Sequence, residues 1–274
     1  MLRIAVQLYS VRDLMESDFE GPIRKVKEFG YDGVEFAGLF GKEPAYIKGL
    51  LAELDLVPLS AHVPYVAMMA DPKKVLGDYA EIGCKFVAIP YLTEEFRPGG
   101  EKFDEFLVNV KMLGELANEL GMTLLYHNHE FEFEKVDGKY ALDILYDTVS
   151  ADLLQTQIDT CWVHVAGENP PAYIRKYKGR APVVHLKDYF RKGNVVRPYS
   201  LIGLADDEKE AKDPEAFFEF RSLGQGLQDF PPIIEAAKDA GATWVVVEQD
   251  SPAAGKTSLQ SAKESIDYLK TLAL

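Results

Sequence analysis

Apolar residues along this chain follow two alternating rhythms. Short, nearly continuous apolar runs alternate with longer stretches in which apolar positions recur every three or four residues. The runs predict strands over Arg3–Tyr9, Gly33–Phe36, Leu56–His62, Lys85–Pro90, Met122–Tyr126, Leu154–Asp159, Ala181–Leu186 and Thr243–Glu248. The longer stretches predict helices over Phe19–Phe29, Ala45–Leu54, Pro72–Ile82, Phe103–Leu120, Tyr140–Val149, Pro171–Tyr177, Phe230–Ala240 and Ser258–Leu272. In the longest of these, Phe106, Val110, Leu113, Leu116, Ala117 and Leu120 share one face. Gly30, Gly83, Gly121 and Gly241 each stop a helix just before a strand. Strict alternation of strand and helix implies parallel strands. Eight such units predict an α/β fold, a (β/α)8 barrel forming one domain over residues 1–274. A doubly wound open sheet is the competing arrangement, but no glycine-rich phosphate loop follows an early strand. One connection is unusually long and polar, from Lys187 to about Gln228. It carries Tyr189, Arg191, Arg197 and the acidic run Asp206, Asp207, Glu208, and reads as a substrate cap, an oligomer contact or a solvated insertion.

A barrel of this kind gathers its active site at the C-terminal ends of the strands. Gln7 and Tyr9 fall there on the first strand, Glu35 on the second and His62 on the third. The fifth strand ends in the densest polar cluster of the chain, His127, Asn128, His129, Glu130 and Glu132. The next three strands end in Asp159, His185 and Glu248. Asp159, His185, Glu248 and one glutamate of the cluster supply three carboxylates and one imidazole. That donor set suits a divalent cation, Mn²⁺ or Mg²⁺ first, with Zn²⁺ or Co²⁺ as alternatives. Any one of these residues has an ordinary structural reading. Asp159 can cap the following helix, His185 can be a buried hydrogen-bonded ring, and Glu248 can pair with Lys187. Polar residues at four successive strand ends are harder to assign to structure alone.

Composition narrows the partners. The chain of 274 residues carries a formal net charge of -14, which argues against nucleic acid or an anionic membrane as partner. A homo-oligomer is an open expectation. The two cysteines, Cys84 and Cys161, make no disulfide framework and point to a cytoplasmic setting. No leader is expected before the first strand, and no apolar run reaches the ~20 residues a membrane helix needs.

Several stretches together resemble the xylose isomerase-like TIM-barrel family of sugar and sugar-phosphate isomerases and epimerases. They are Gln7 to Asp13, Gly30 to Glu35, Tyr126 to Phe133, Ile158-Asp159-Thr160, Gly179-Arg180 with His185 to Asp188, Leu223 to Gly226, and Val247 to Asp250. Within it the chain looks nearest the branch holding inosose dehydratase-like and 3-keto-glycoside-processing relatives. The resemblance implies a metal held from four consecutive late strands, with Asp159, His185 and Glu248 in three of the positions. Many members carry Glu-Asn-His where this chain has His127-Asn128-His129. The first ligand is therefore expected at Glu132, with Glu130 second. Glu132 and Glu248 become the expected catalytic pair, and His62, His127, His129, Glu35 and Lys187 the expected substrate contacts. The activity implied is metal-dependent sugar isomerisation or epimerisation, by proton abstraction next to a carbonyl through an enediolate. The alternatives are β-elimination by a lyase or dehydratase of keto-sugars or inososes, and a metal- or sugar-binding barrel without turnover.

Overall fold

A computed structural model describes residues 2–193, 216–272 and 274. Eight parallel strands close into a barrel: β1 (Arg3–Gln7), β2 (Gly33–Ala37), β3 (Val57–His62), β4 (Phe86–Ile89), β5 (Thr123–His127), β6 (Gln155–Asp159), β7 (Val183–Leu186) and β8 (Trp244–Val247). Each is followed by an outer helix: α1 (Glu20–Phe29), α2 (Pro44–Glu53), α3 (Pro72–Ile82), α4 (Phe103–Glu119), α5 (Ala141–Thr148), α6 (Pro170–Lys176), α7 (Phe230–Ala240) and α8 (Ser258–Leu269). The order predicted from apolar rhythm is the order found, with ends displaced by a few residues. Gly30, after α1, takes a left-handed φ of 96°, a conformation costly for a residue with a Cβ. Its N–H closes the helix on Lys27 and Val26 carbonyls.

The period-two alternation of each strand separates two apolar layers. Ile4, Val6, Val87, Ile89, Leu124, Tyr126, Val184, Leu186, Val245 and Val247 pack in the large core between barrel and helices. Ala5, Leu59, Ala88, Leu125, Val183, Trp244 and Val246 fill the barrel itself. Two residues further along, that inner row turns polar. Ala5 leads to Gln7, Leu125 to His127, Val183 to His185, and Val246 to Glu248, all buried. The register sets these side by side: Gln7 pairs with Glu35, His127 with Gln157, and Asp159 with His185. A polar plate thus lies on an apolar barrel core.

The long connection after β7 carries strands that the apolar rhythm does not predict. Asp188–Lys192 and Phe217–Arg221 form an antiparallel pair. Tyr189 and Phe220 from this pair bury with Trp162 and Cys161 in a small cluster of their own. The base of the hairpin is tied by Asp188, whose carboxylate accepts from the backbone N–H groups of Tyr189, Gly224, Gly226 and Gln228 at 2.9–3.1 Å. A Cβ on Gly226 would lie 2.2 Å from that carboxylate, which accounts for glycine there. Arg197 and the acidic run at 206–208 fall outside the described residues. Short helices at Tyr65–Ala70 and Thr160–Val165, too brief to show a period in the sequence, flank the barrel mouth.

Candidate metal centre and its cleft

The late strands bring His127, Asp159, His185 and Glu248 together, with one potential ligand atom from each lying within 4.8 Å of all the others. All four are buried. His185 Nδ1 is 3.1 Å from Glu248 Oε2, and His127 Nε2 is 3.7 Å from Asp159 Oδ2. Asp159 divides its two oxygens. Oδ1 caps the following short helix by accepting from the N–H groups of Cys161 and Trp162, at 2.8 and 3.2 Å. Oδ2 is buried and has no hydrogen-bond partner among the described residues. A buried carboxylate oxygen that makes no hydrogen bond, beside two imidazoles, a second carboxylate and the Lys187 ammonium at 3.4 Å, is a donor open to a divalent cation, and the residues present fit such an ion. Asn128 fixes the ends of β5 and β6 to each other: its Oδ1 accepts from Asp159 N–H and its Nδ2 donates to Asp159 C=O.

Glu132 lies outside this group. Its Oε1 accepts from Tyr126 OH at 2.5 Å and its Oε2 from His129 N–H at 2.7 Å. Both oxygens are therefore turned back into the protein, and it is His127 of this cluster that stands in the four-residue group. The polypeptide makes a tight 3-10 turn over Phe131–Phe133, which carries Glu132 behind its own strand end. The expected substrate contacts separate into two sets. His62, His127, His129 and Lys187 line a cleft of about 320 Å³ at the barrel mouth, together with Tyr9 and Tyr91. Glu35 is fully buried beneath it and faces Gln7, His62, Gln157 and His185. Gln157 and Asp250 were not among the residues singled out from sequence. Gln157 is two residues before Asp159 on the same strand and Asp250 two after Glu248, so the period of a strand carried the signal.

Lys187 is the electrostatic centre of the cleft floor. Its Nζ lies 3.0 Å from Asp250, 3.1 Å from Glu248 and 3.4 Å from Asp159. Burial works against its charge, but Asp250, Glu248 and Asp159 outweigh it and hold the ammonium well above the ordinary lysine value. Burial also works against ionised Glu248, and the Lys187 and His185 partners hold it well below the usual carboxylate range. Asp250, with burial dominant, is pushed up to about 6. Burial opposes a charged His185, yet the Glu35 and Glu248 carboxylates raise it to about 10. Burial keeps His127 and His129 neutral, well below the ordinary histidine value. Glu130 and Glu132 are each pushed up to about 7, again by burial.

A closed parallel barrel with a buried His, Asp and Glu group at the C-terminal strand ends defines the class as a (β/α)8 protein able to hold a divalent cation. The chain belongs to the xylose isomerase-like TIM barrel family, whose model matches residues 23–272. It is 24% identical to inosose dehydratase of Lacticaseibacillus casei over 287 residues, spanning 93% of this chain and 89% of the relative. Among solved structures it superposes on a sugar phosphate isomerase/epimerase from Parabacteroides distasonis ATCC 8503, with a TM-score of 0.76, 20% identity and 98% of each chain covered. The IolI protein with a bound zinc atom gives a TM-score of 0.71 at 16% identity, covering 98% of this chain and 97% of that one. No helix among the described residues is long and apolar enough to cross a membrane.

Proposed function

We propose that this chain is a divalent-metal-dependent lyase that dehydrates a keto-sugar or an inosose-like cyclic ketone. One observation carries the reading: the burial of His127, Asp159, His185 and Glu248 together at the floor of an open cleft. These four would hold the ion, which when bound supplies a Lewis acid that polarises a substrate carbonyl. Glu248 removes the proton from the carbon next to that carbonyl. The electron pair of the broken C–H bond forms a carbon–carbon double bond as the β-hydroxyl departs. The same proton, passed on by Glu248, leaves with that oxygen as water. Lys187, at 3.1 Å, keeps Glu248 ionised before the reaction and places positive charge beside the developing oxyanion. Burial keeps His127 neutral, so that it would offer the ion a lone pair, and keeps His129 neutral, so that it orients a hydroxyl group without adding charge.

Epimerisation or isomerisation begins with the same proton abstraction and is the second reading, favoured by the named neighbours among isomerases and epimerases. It calls for a second group to return the proton at another face or another carbon. Glu132, the expected partner of Glu248, has both oxygens committed to Tyr126 and His129. That difference, together with the inosose dehydratase relatives, supports elimination. The test is to incubate the protein with keto-sugars and inososes in deuterated water, with Mn²⁺, Co²⁺ or Zn²⁺ added. An unsaturated ketone accumulating in the sample, abolished by Glu248→Gln, is the expected result. Deuterium entering recovered substrate or its stereoisomer, with no unsaturated product, would select the epimerase. Binding without either change would select a sugar-binding barrel.

A further inference from the structure

The buried plate contains one carboxylate that the proposed chemistry does not touch. Glu35, at 0% exposure, sits under the cleft and is absent from its lining. Its Oε1 accepts from Gln7 Nε2 at 2.7 Å and lies 2.8 Å from His185 Nε2 and 3.0 Å from His62 Nε2. Its Oε2 accepts from Gln157 Nε2 at 2.6 Å. The amide orientations are fixed at their other ends, where Gln7 Oε1 accepts from Tyr9 N–H and Gln157 Oε1 faces His62 Nε2 at 2.7 Å. Taking a carboxylate out of water is costly. This one is retained inside a ring of groups drawn from β1, β3, β6 and β7, so the early strands, which give no member of the four-residue group, brace it from below.

The consequence falls on His185. Its Nε2 faces Glu35 and its Nδ1 faces Glu248 and the candidate centre. Nε2 makes no hydrogen bond among the described residues although Glu35 Oε1 is 2.8 Å away, and Nδ1 is hydrogen-bonded to Glu248 Oε2 at 3.1 Å, the contact that a cation on Nδ1 would replace. A histidine binds a cation only through a ring nitrogen that carries no proton, and the partner of the other nitrogen decides which one that is. We propose that Glu35 is a positioning residue that holds the His185 proton on Nε2, presenting the Nδ1 lone pair to the cation, while Gln7 and Gln157 hold Glu35 in place. This rests on the metal reading of the site.

Zinc-loaded, ¹⁵N-labelled protein tests it directly. The chain has 5 histidines, so long-range ¹H–¹⁵N ring spectra can be assigned. His185 is expected to carry its proton on Nε2 and the metal-shifted resonance on Nδ1. The reverse assignment would overturn the proposal in the unaltered protein. Zn²⁺ and Mn²⁺ affinities, measured by competition with a fluorescent chelator, give the second readout. Glu35→Gln, and the double variant E35Q/Q157E that moves the carboxylate across the barrel to β6, are expected to bind about 10- to 100-fold more weakly. Unchanged metal-free melting temperature in the double variant separates that loss from misfolding. Affinity within about twofold of the parent, in a variant that melts normally, would refute the role of Glu35 alone. No binding by the unaltered protein would instead overturn the metal reading and this proposal with it.

Discussion

Replacing Glu132 by glutamine separates the two places this residue could occupy. Its carboxylate is buried and bonded to Tyr126 OH and His129 N–H, and burial raises it from an ordinary 4.5 to about 7. At about 1.4 kcal/mol per pH unit, holding it ionised above pH 7 costs about 3 kcal/mol. The sign follows from proton uptake. A carboxyl whose folded value is raised contributes stability that is fully present below its unfolded value near 4.3, and loses it as pH rises through about 7. Glutamine has no proton to lose, and its oxygen can still accept from His129 while its N–H₂ meets the Tyr126 oxygen. The difference in unfolding free energy between Glu132→Gln and the parent is therefore expected to move by about 2–3 kcal/mol in favour of the variant between pH 5 and pH 8. Denaturant titrations at stepped pH, followed by the fluorescence of Trp162 and Trp244, measure it. Metal affinity should stay within about twofold of the parent, because neither oxygen is aimed at the four-residue group. A tenfold or larger loss of affinity, with a stability difference that does not change with pH, would refute this placement and restore Glu132 as the first ligand.

Three further outcomes are expected elsewhere. His127→Ala, which removes one imidazole from the group, should weaken Zn²⁺ binding by at least about tenfold in a folded protein, and calorimetry measures this. Asp188→Ala strips the acceptor from the N–H groups of Tyr189, Gly224, Gly226 and Gln228 and should lower unfolding free energy by about 3 kcal/mol, read from denaturant midpoints. Asp143 accepts from Lys176, Tyr173 and Tyr177, and although burial opposes ionisation these partners lower its carboxyl below the usual range. Its contribution is thus present above the unfolded value near 3.9 and lost as pH falls further. Acid unfolding should then be shallower in Asp143→Asn than in the parent, below about pH 4.

The barrel was legible because it rests on local rules. Apolar runs of strand length, helical faces such as Phe106 to Leu120, and helix-ending glycines such as Gly30 all act within a few residues of each other. The same period of two could have found Gln157 from Asp159 and Asp250 from Glu248. The hairpin after β7 was not legible, because its two arms lie far apart in sequence and are joined through Asp188 to backbone N–H groups near residue 226. Its aromatic residues look like any others until Trp162 is beside them.

The candidate site divides along the same line. Sequence alone set which residue types stand at the ends of the late strands, since strand parity puts Asp159, His185 and Glu248 on the inner face after an apolar residue. It also supplied the rare cluster from His127 to Glu132. Which member of that cluster points inward was decided only in three dimensions. A 3-10 turn and the hydrogen bonds of Tyr126 and His129 draw Glu132 back, leaving His127 beside Asp159. Glu35 likewise lies buried beneath the cleft, outside its lining, because the register of β1 and β2 places Gln7 beside it and closing the barrel brings Gln157 and His185 across. Parity is a property of one strand, whereas the direction a carboxylate takes depends on donors that only the closed barrel brings within reach.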